Sequence, residues 1–346
     1  MKCELDDTPS FQAPLFPIAL LDLAEKFYDF RKLNRSALYK RCNITPAQIS
    51  RSENIISGWQ FREILLSCKD IARPGIPLSV QLADFTPITV PGGMFGLASF
   101  TARDTRQALE VMIDFAHTVM PAYRFERLNM GGQCHIILQP AMDFGDVQFI
   151  LDEAVCGYFL NLRLFTHFSN PPIQVHLSHE PLGEIDTYED YFKAKYFFSK
   201  KTIKIIFEKH HLSQPLHTHN QSTFNEVYCN LKGSLNSASN LSTTGKVKVK
   251  KNIQLRLADG QAISICQIAE QMNISERTLA RRLHNENSSF AEIKQQVSFD
   301  YAKLLLESTE YPICKIAHIC GYNSDSNFSR AFKGSTGQTP KQFRCK

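Results

Sequence analysis

The feature that most constrains this chain is a pattern that occurs twice in its last hundred residues. In the first occurrence, apolar residues at 265, 268, 269 and 272 fall on one face of a short helix. A second helix then starts at Ser275, an N-cap residue followed by Glu276 in the dipole-favoured first turn. Leu279 and Leu283 lie one turn apart and face inward, which leaves Arg277, Thr278, Ala280 and Arg281 outside, and a tight turn at Met272, Asn273 and Ile274 joins the helices. In the second occurrence Ile313, Ile316, Ala317 and Cys320 form the first face, Gly321 supplies the turn, and Phe328 and Phe332 anchor the next helix. Ser326, Asn327 and Arg330 then point outward. Each is the pattern of a helix-turn-helix, over about 263–284 and 311–334. One such pattern is weak evidence. Two, with the same exposed polar face, are far more specific.

Between them Phe290, Ile293, Val297, Tyr301 and Leu304 keep a helical stagger through some nineteen residues, a rod of about 28 Å at 1.5 Å per residue. That is comparable to one turn of B-DNA, about 34 Å, so two reading helices held on such a rod can enter successive major grooves. The charge agrees. Residues 246–346 hold 16 Lys and Arg against 9 Asp and Glu, whereas the preceding part holds 23 against 25, so the excess behind the net +5 sits at the C-terminal end. Double-stranded DNA is the partner such a surface suits. Arg277, Arg281, Asn327 and Arg330 are the expected base-edge contacts, with Thr278, Ala280 and Ser326 beside them, and Lys333, Lys341 and Arg344 the expected phosphate contacts.

Ile316, Ala317, Cys320, Gly321 and Tyr322, followed by Phe328 to Lys333, Thr336, Gly337, Pro340, Phe343 and Arg344, make this region resemble the DNA-binding domain of the AraC/XylS family of bacterial regulators. The resemblance implies seven helices, two recognition helices on one rod, and activation of transcription by contact with RNA polymerase. Asn273 stands where the first turn often has Gly, a change the left-handed region tolerates, and Ser298 where relatives commonly place Arg. Gly92–Phe100 and Thr105–Phe115 are similar, less specifically, to the branch with an arabinose-binding-like N-terminal domain. That likeness implies a sensing module able to form a homodimer.

The first 210 residues read as a mixed α+β domain. Two or three short helices are expected over 18–71, turns in the Pro- and Gly-rich stretch 72–96, and helices over 104–120 and 147–168. Strands are expected at 123–128, 134–138, 173–177 and 203–207, with Gly131 and Gly132 as a hairpin turn. The polar, Ser- and Asn-rich residues that follow read as a flexible linker. The expected architecture is an α+β N-terminal sensing domain (1–210), a linker (211–245) and an all-α C-terminal domain (246–346) with two helix-turn-helix units.

In such a regulator a small molecule would occupy an apolar pocket within 18–210, lined partly by Phe and Tyr, and shift DNA binding through its differential affinity for two arrangements. Switching by a metal at His176, His179, His210, His211, His217 and His219, or by oxidation of Cys134, Cys156 or Cys229, is the alternative. Neither shows a recognisable ligand set or a C-x-x-C setting, and buried thiols are the default. A DNA-modifying enzyme using this domain as a clamp would need an activated cysteine, and no nucleophile elbow, P-loop or dinucleotide fingerprint is present. The expectation is a protein without catalytic residues, cofactor or metal. Scattered cysteines, no signal peptide and no apolar run near ~18 residues point to a cytoplasmic protein not held in a membrane.

Overall fold

A computed structural model describes residues 11–50, 54–85, 94–160, 173–239, 245–258, 263–272, 274–322 and 324–345. Pro14–Pro17 (β1) pairs antiparallel with Ile55–Ser57 (β2), and the chain between them folds into α1 (Leu20–Phe30), α2 (Arg35–Arg41) and α3 (Pro46–Ile49). Side chains decide where these helices begin. Asn34 accepts the Ser36 amide at 2.8 Å, and Thr45 with Gln48 closes a reciprocal capping box, as Ser57 with Gln60 does for α4 (Gly58–Asp70). The helical period over 18–71 thus resolves into four helices interrupted by a strand too short to print an alternation of its own.

The Pro- and Gly-rich stretch holds a helix where turns were expected: α5 (Leu78–Ala83) starts behind Pro77, a residue compatible with a helix start. Residues 86–93, with Pro87, Pro91, Gly92 and Gly93, lie outside the described residues. Then come α6 (Met94–Thr101) and α7 (Thr105–Val119), the latter capped by Asp104, which accepts the Gln107 amide at 2.8 Å.

Gly131 and Gly132 take positive φ, 52° and 95°, as a two-residue hairpin turn requires. They join β3 (Tyr123–Met130) to β4 (Gln133–Pro140) in antiparallel register from Tyr123↔Pro140 to Met130↔Gln133. A 3-10 turn leads into α8 (Gln148–Leu160), and beyond it lie β5 (Gln174–His176), α9 (Ile185–Phe192), β6 (Lys195–Phe197), β7 (Ile203–Glu208) and α10 (Lys209–Leu212). The part of the expected helix beyond 160 lies outside the described residues. The sheet runs β3-β4-β7-β5-β6, antiparallel except for the β5 and β6 pair. Two elements beside the expected strands have causes that local pattern does not show. α9 buries Tyr188 and Phe192, four apart and so on one helical face, and three-residue β6 gains its strand conformation by pairing with β5.

The expected linker is largely structured. Leu216 donates its amide to the Arg103 carbonyl at 3.1 Å, Pro215 bridges to Asp104, and α11 runs from Gln221 to Ser239. Phe224 and Val227 are buried, and the Tyr228 ring lies 5.8 Å from that of Phe115. Apolar residues three and four apart therefore dock this segment despite its polar composition. The two compact units divide between Lys232 and Gly233, inside α11, rather than at 210 and 246. Residues 240–244 lie outside the described residues.

The C-terminal unit continues with α12 (Gly245–Ala258), α13 (Ile265–Gln271), α14 (Glu276–Asn285), α15 (Phe290–Ser308), α16 (Ile313–Ile319), α17 (Asp325–Thr336) and α18 (Pro340–Arg344). It is all helical among the described residues. The nineteen-residue α15 packs against α12, α16 and α18. Among the described residues no helix is long and apolar enough to cross a membrane.

Candidate nucleic-acid interface

The two helix-turn-helix units close their turns with the same backbone bond, the second reaching its cap one residue later. The Ile274 amide donates to the Ala269 carbonyl at 3.0 Å, and the Tyr322 amide donates to the Ala317 carbonyl at 2.9 Å. Gly321 takes φ 81° in the second turn; Asn273, its counterpart, lies outside the described residues. Ser275 caps α14 by accepting the Thr278 amide, and Ser324 caps α17 by accepting the Asn327 amide. Four and eight residues beyond each cap stand Leu279 and Leu283, and Phe328 and Phe332, all 0% exposed. These pairs fix each helix against its own unit and decide which face remains outside.

Counted from the caps, Arg281 and Arg330 occupy the same position, and both are exposed. Arg277 and Ser326 form a second equivalent, exposed pair. Ala280, Asn327 and Lys333 are exposed as well, and so is Lys341. Arg282, not singled out from the sequence, is a further exposed cation next to Arg281. Among the described residues no carboxylate pairs with Arg277, Arg281, Arg330 or Lys333. Intra-helix ion pairing is therefore not what these cations do here.

Two expected contacts look different in the structure. Thr278 is half-buried, and its hydroxyl lies 2.9 Å from that of Ser275, so the side chain belongs partly to the cap. Arg344 is half-buried, donates to the Tyr311 carbonyl, and keeps its Nε buried without a partner. It ties the C-terminal helix to the start of the second unit rather than facing outward to a phosphate. Ser298 is 2% exposed in the interior. The sequence also hid the role of Glu286. Its carboxylate accepts the Gly245 and Lys246 amides at 2.6 and 2.7 Å, so the C-cap of α14 also neutralises the positive end of α12.

The N-terminal unit contains a cavity of about 90 Å³ lined from α1, α4, α5, α6, α7, β3 and α8, within the stretch where an effector pocket was expected. Beside it, α8 carries two adjacent interior carboxylates, Asp152 and Glu153, each 1% exposed. Tyr123 and Gln148 donate to Asp152, while Ser79 and Tyr188 donate to Glu153 at 2.6 and 2.7 Å. Burial pushes Glu153 up to about 7, against the pull of the Ser79 and Tyr188 hydrogen bonds. Burial likewise raises Asp152.

The histidines behave separately. His219 Nδ1 lies 3.2 Å from the Thr101 carbonyl, the His210 and His211 rings lie 3.9 Å apart and tilted, and His179 packs on Phe149 at 4.7 Å. Burial lowers His135 and His176 to about 4, with Lys204 adding to the shift. Among the described residues no group of three His, Cys, Asp or Glu is placed to hold a metal ion. Of the thiols, Cys134 and Cys156 are buried, whereas Cys229, Cys266, Cys314 and Cys345 are exposed, so the expectation of buried thiols fails for those four.

Residues 33–216 match the family described as the arabinose-binding domain of AraC transcription regulators, and residues 268–346 match a helix-turn-helix domain family. The ornithine utilization regulator of Pseudomonas aeruginosa is 22% identical over 97% of this chain and 98% of its own length. The transcriptional activator CfaD of Escherichia coli is 38% identical over 96 residues, 28% of this chain and 36% of that protein. Among solved structures, the transcriptional regulator CdpR from Pseudomonas aeruginosa matches with a TM-score of 0.48 at 18% identity, over 95% of this chain and 98% of that one.

Proposed function

The chain belongs to the AraC family of transcription regulators, and on that footing we propose that it binds a specific double-stranded DNA site and activates transcription in the cytoplasm through contact with RNA polymerase. A small molecule held in the N-terminal unit controls that binding. The observation that carries the DNA reading is the repeated turn with Arg281 and Arg330 in the same place, exposed and unpaired by carboxylates among the described residues. An extended guanidinium in a groove can bond two acceptors of a guanine edge. Arg277, Ala280, Ser326 and Asn327 flank those two positions, while Lys333 and Lys341 supply backbone charge and Thr278 steadies the first reading helix. The family's name carries a sugar and one relative's name an amino acid. Neither name identifies the effector of this chain.

The test is selection of full-length protein on random duplex DNA across a salt series. Enrichment of one asymmetric site of about two helical turns, with affinity falling steeply as salt rises and lost in Arg281→Ala or Arg330→Ala, supports the reading. No enrichment, with both substitutions silent, overturns it.

A further inference from the structure

We infer that the effector site is the cavity bounded chiefly by α1, α4, α7 and α8, and that it takes the uncharged alkyl part of an aliphatic molecule; this rests on the reading of the N-terminal unit as effector-binding. Its lining is Leu, Ile, Val, Ala, Phe and Met throughout, apart from Cys68 and Tyr158. Among the described residues no charged side chain lines it. The carboxylates nearest in sequence, Asp152 and Glu153, sit on α8 between the lining residues Leu151 and Ala154 and are already engaged by Tyr123, Gln148, Ser79 and Tyr188. A sugar hydroxyl or an ammonium group entering the cavity would lose its water and find no hydrogen bond in return. A methylene loses nothing and leaves water, which is favourable.

The size points the same way. The space is about 90 Å³, smaller than the ~150 Å³ apolar cavity that takes up a benzene ring. It exists because α1, α7 and α8 present Ala24, Ala116 and Ala154 where larger side chains would close it. Met112 and Met120 also line it, and unbranched thioether side chains re-pack at little cost, so the cavity can lengthen along a chain. A straight alkyl chain suits such a space better than a wide ring.

The experiment is calorimetric titration of the full-length protein, without DNA, with n-butanol, n-hexanol and n-octanol, and with a pentose and a basic amino acid as polar arms. Saturable alkanol binding that tightens roughly fourfold per methylene until the chain outgrows the cavity is expected, with no binding of the polar arms. Ala154→Leu fills the space and should weaken octanol binding at least tenfold. Should that variant not fold, competition between octanol and xenon on the unaltered protein, followed by xenon NMR, reads the same site. Absent saturation, affinity independent of chain length, octanol binding unchanged in a folded Ala154→Leu protein, or saturable binding of a polar arm would each overturn the assignment. Alkanol binding that leaves DNA affinity unchanged overturns the effector role. Failure to select any DNA overturns the regulator reading instead, and the two failures are read in separate assays.

Discussion

Replacing Glu153 by Gln removes a titrating group from the interior while keeping its size. Glu153 is 1% exposed, faces Ser79, Tyr188 and the neighbouring carboxylate of Asp152, and has His179 Nε2 at 3.9 Å. Burial raises its pKa from 4.5 to about 7 in the folded protein, so between those values the folded state binds more protons than the unfolded one. Stability contributed by the neutral carboxyl is therefore complete below about 4.5 and lost as the pH rises through about 7. Integrated from pH 5 to pH 8, the loss is roughly 2–3 kcal/mol. The amide introduced by Glu153→Gln does not titrate, so the unfolding free energy of the unaltered protein minus that of the variant should fall by that amount over this interval. The subtraction cancels His135 and His176, whose lowered pKa values give the opposite slope: their contribution is present above about 6.5 and lost as the pH falls toward about 4. Urea unfolding followed by the fluorescence of Trp59, the single tryptophan and a residue of α4, reports on the right unit. A difference independent of pH would refute the reasoning. A difference that rises with pH would show that an ion pair with His179 outweighs burial.

At the interface, Arg281→Ala and Arg330→Ala should each cost about 1–3 kcal/mol of specific binding and relax selectivity at one position, whereas Lys333→Ala should weaken all sequences alike and reduce the salt slope by about one; quantitative binding on matched and mismatched duplexes separates the two. Gly157→Ala would place a Cβ 2.9 Å from both Cε1 and Cζ of the buried Phe192, and overpacking of that kind costs about 1–3 kcal/mol, measurable by urea unfolding. Glu286→Ala removes the acceptor of two α12 amides, a loss on the scale of a helix cap, about 1 kcal/mol. Faster hydrogen exchange at Gly245 and Lys246 would register it.

How much of this was legible depends on the range of the interactions. Each part of the helix-turn-helix units is local: Ser275 and Ser324 cap helices that start one residue later, and Leu279, Leu283, Phe328 and Phe332 sit one turn apart. Period, cap and turn therefore carried the C-terminal unit, its reading faces and its rod. The surroundings of Thr278 and Arg344 are not written in the helical period, which gives only the face each residue lies on. One hydroxyl joins a cap, and one guanidinium reaches back 33 residues to Tyr311. α11 is masked by the polar composition of its stretch, although Phe224, Val227 and Tyr228 fall where they can dock.

The sequence by itself determined the family, the all-helical C-terminal unit and the hairpin at Gly131 and Gly132, because all of these are written in spacings of a few residues. Tertiary structure alone decided the rest. The acid of Glu153 meets Ser79 across 74 positions and Tyr188 across 35; Glu286 grips the start of α12 from 41 residues away; and the apolar cavity exists only because alanines on three separate helices converge. Such contacts depend on how the chain returns to itself, and loop closure over those distances leaves no periodic trace in the order of the residues.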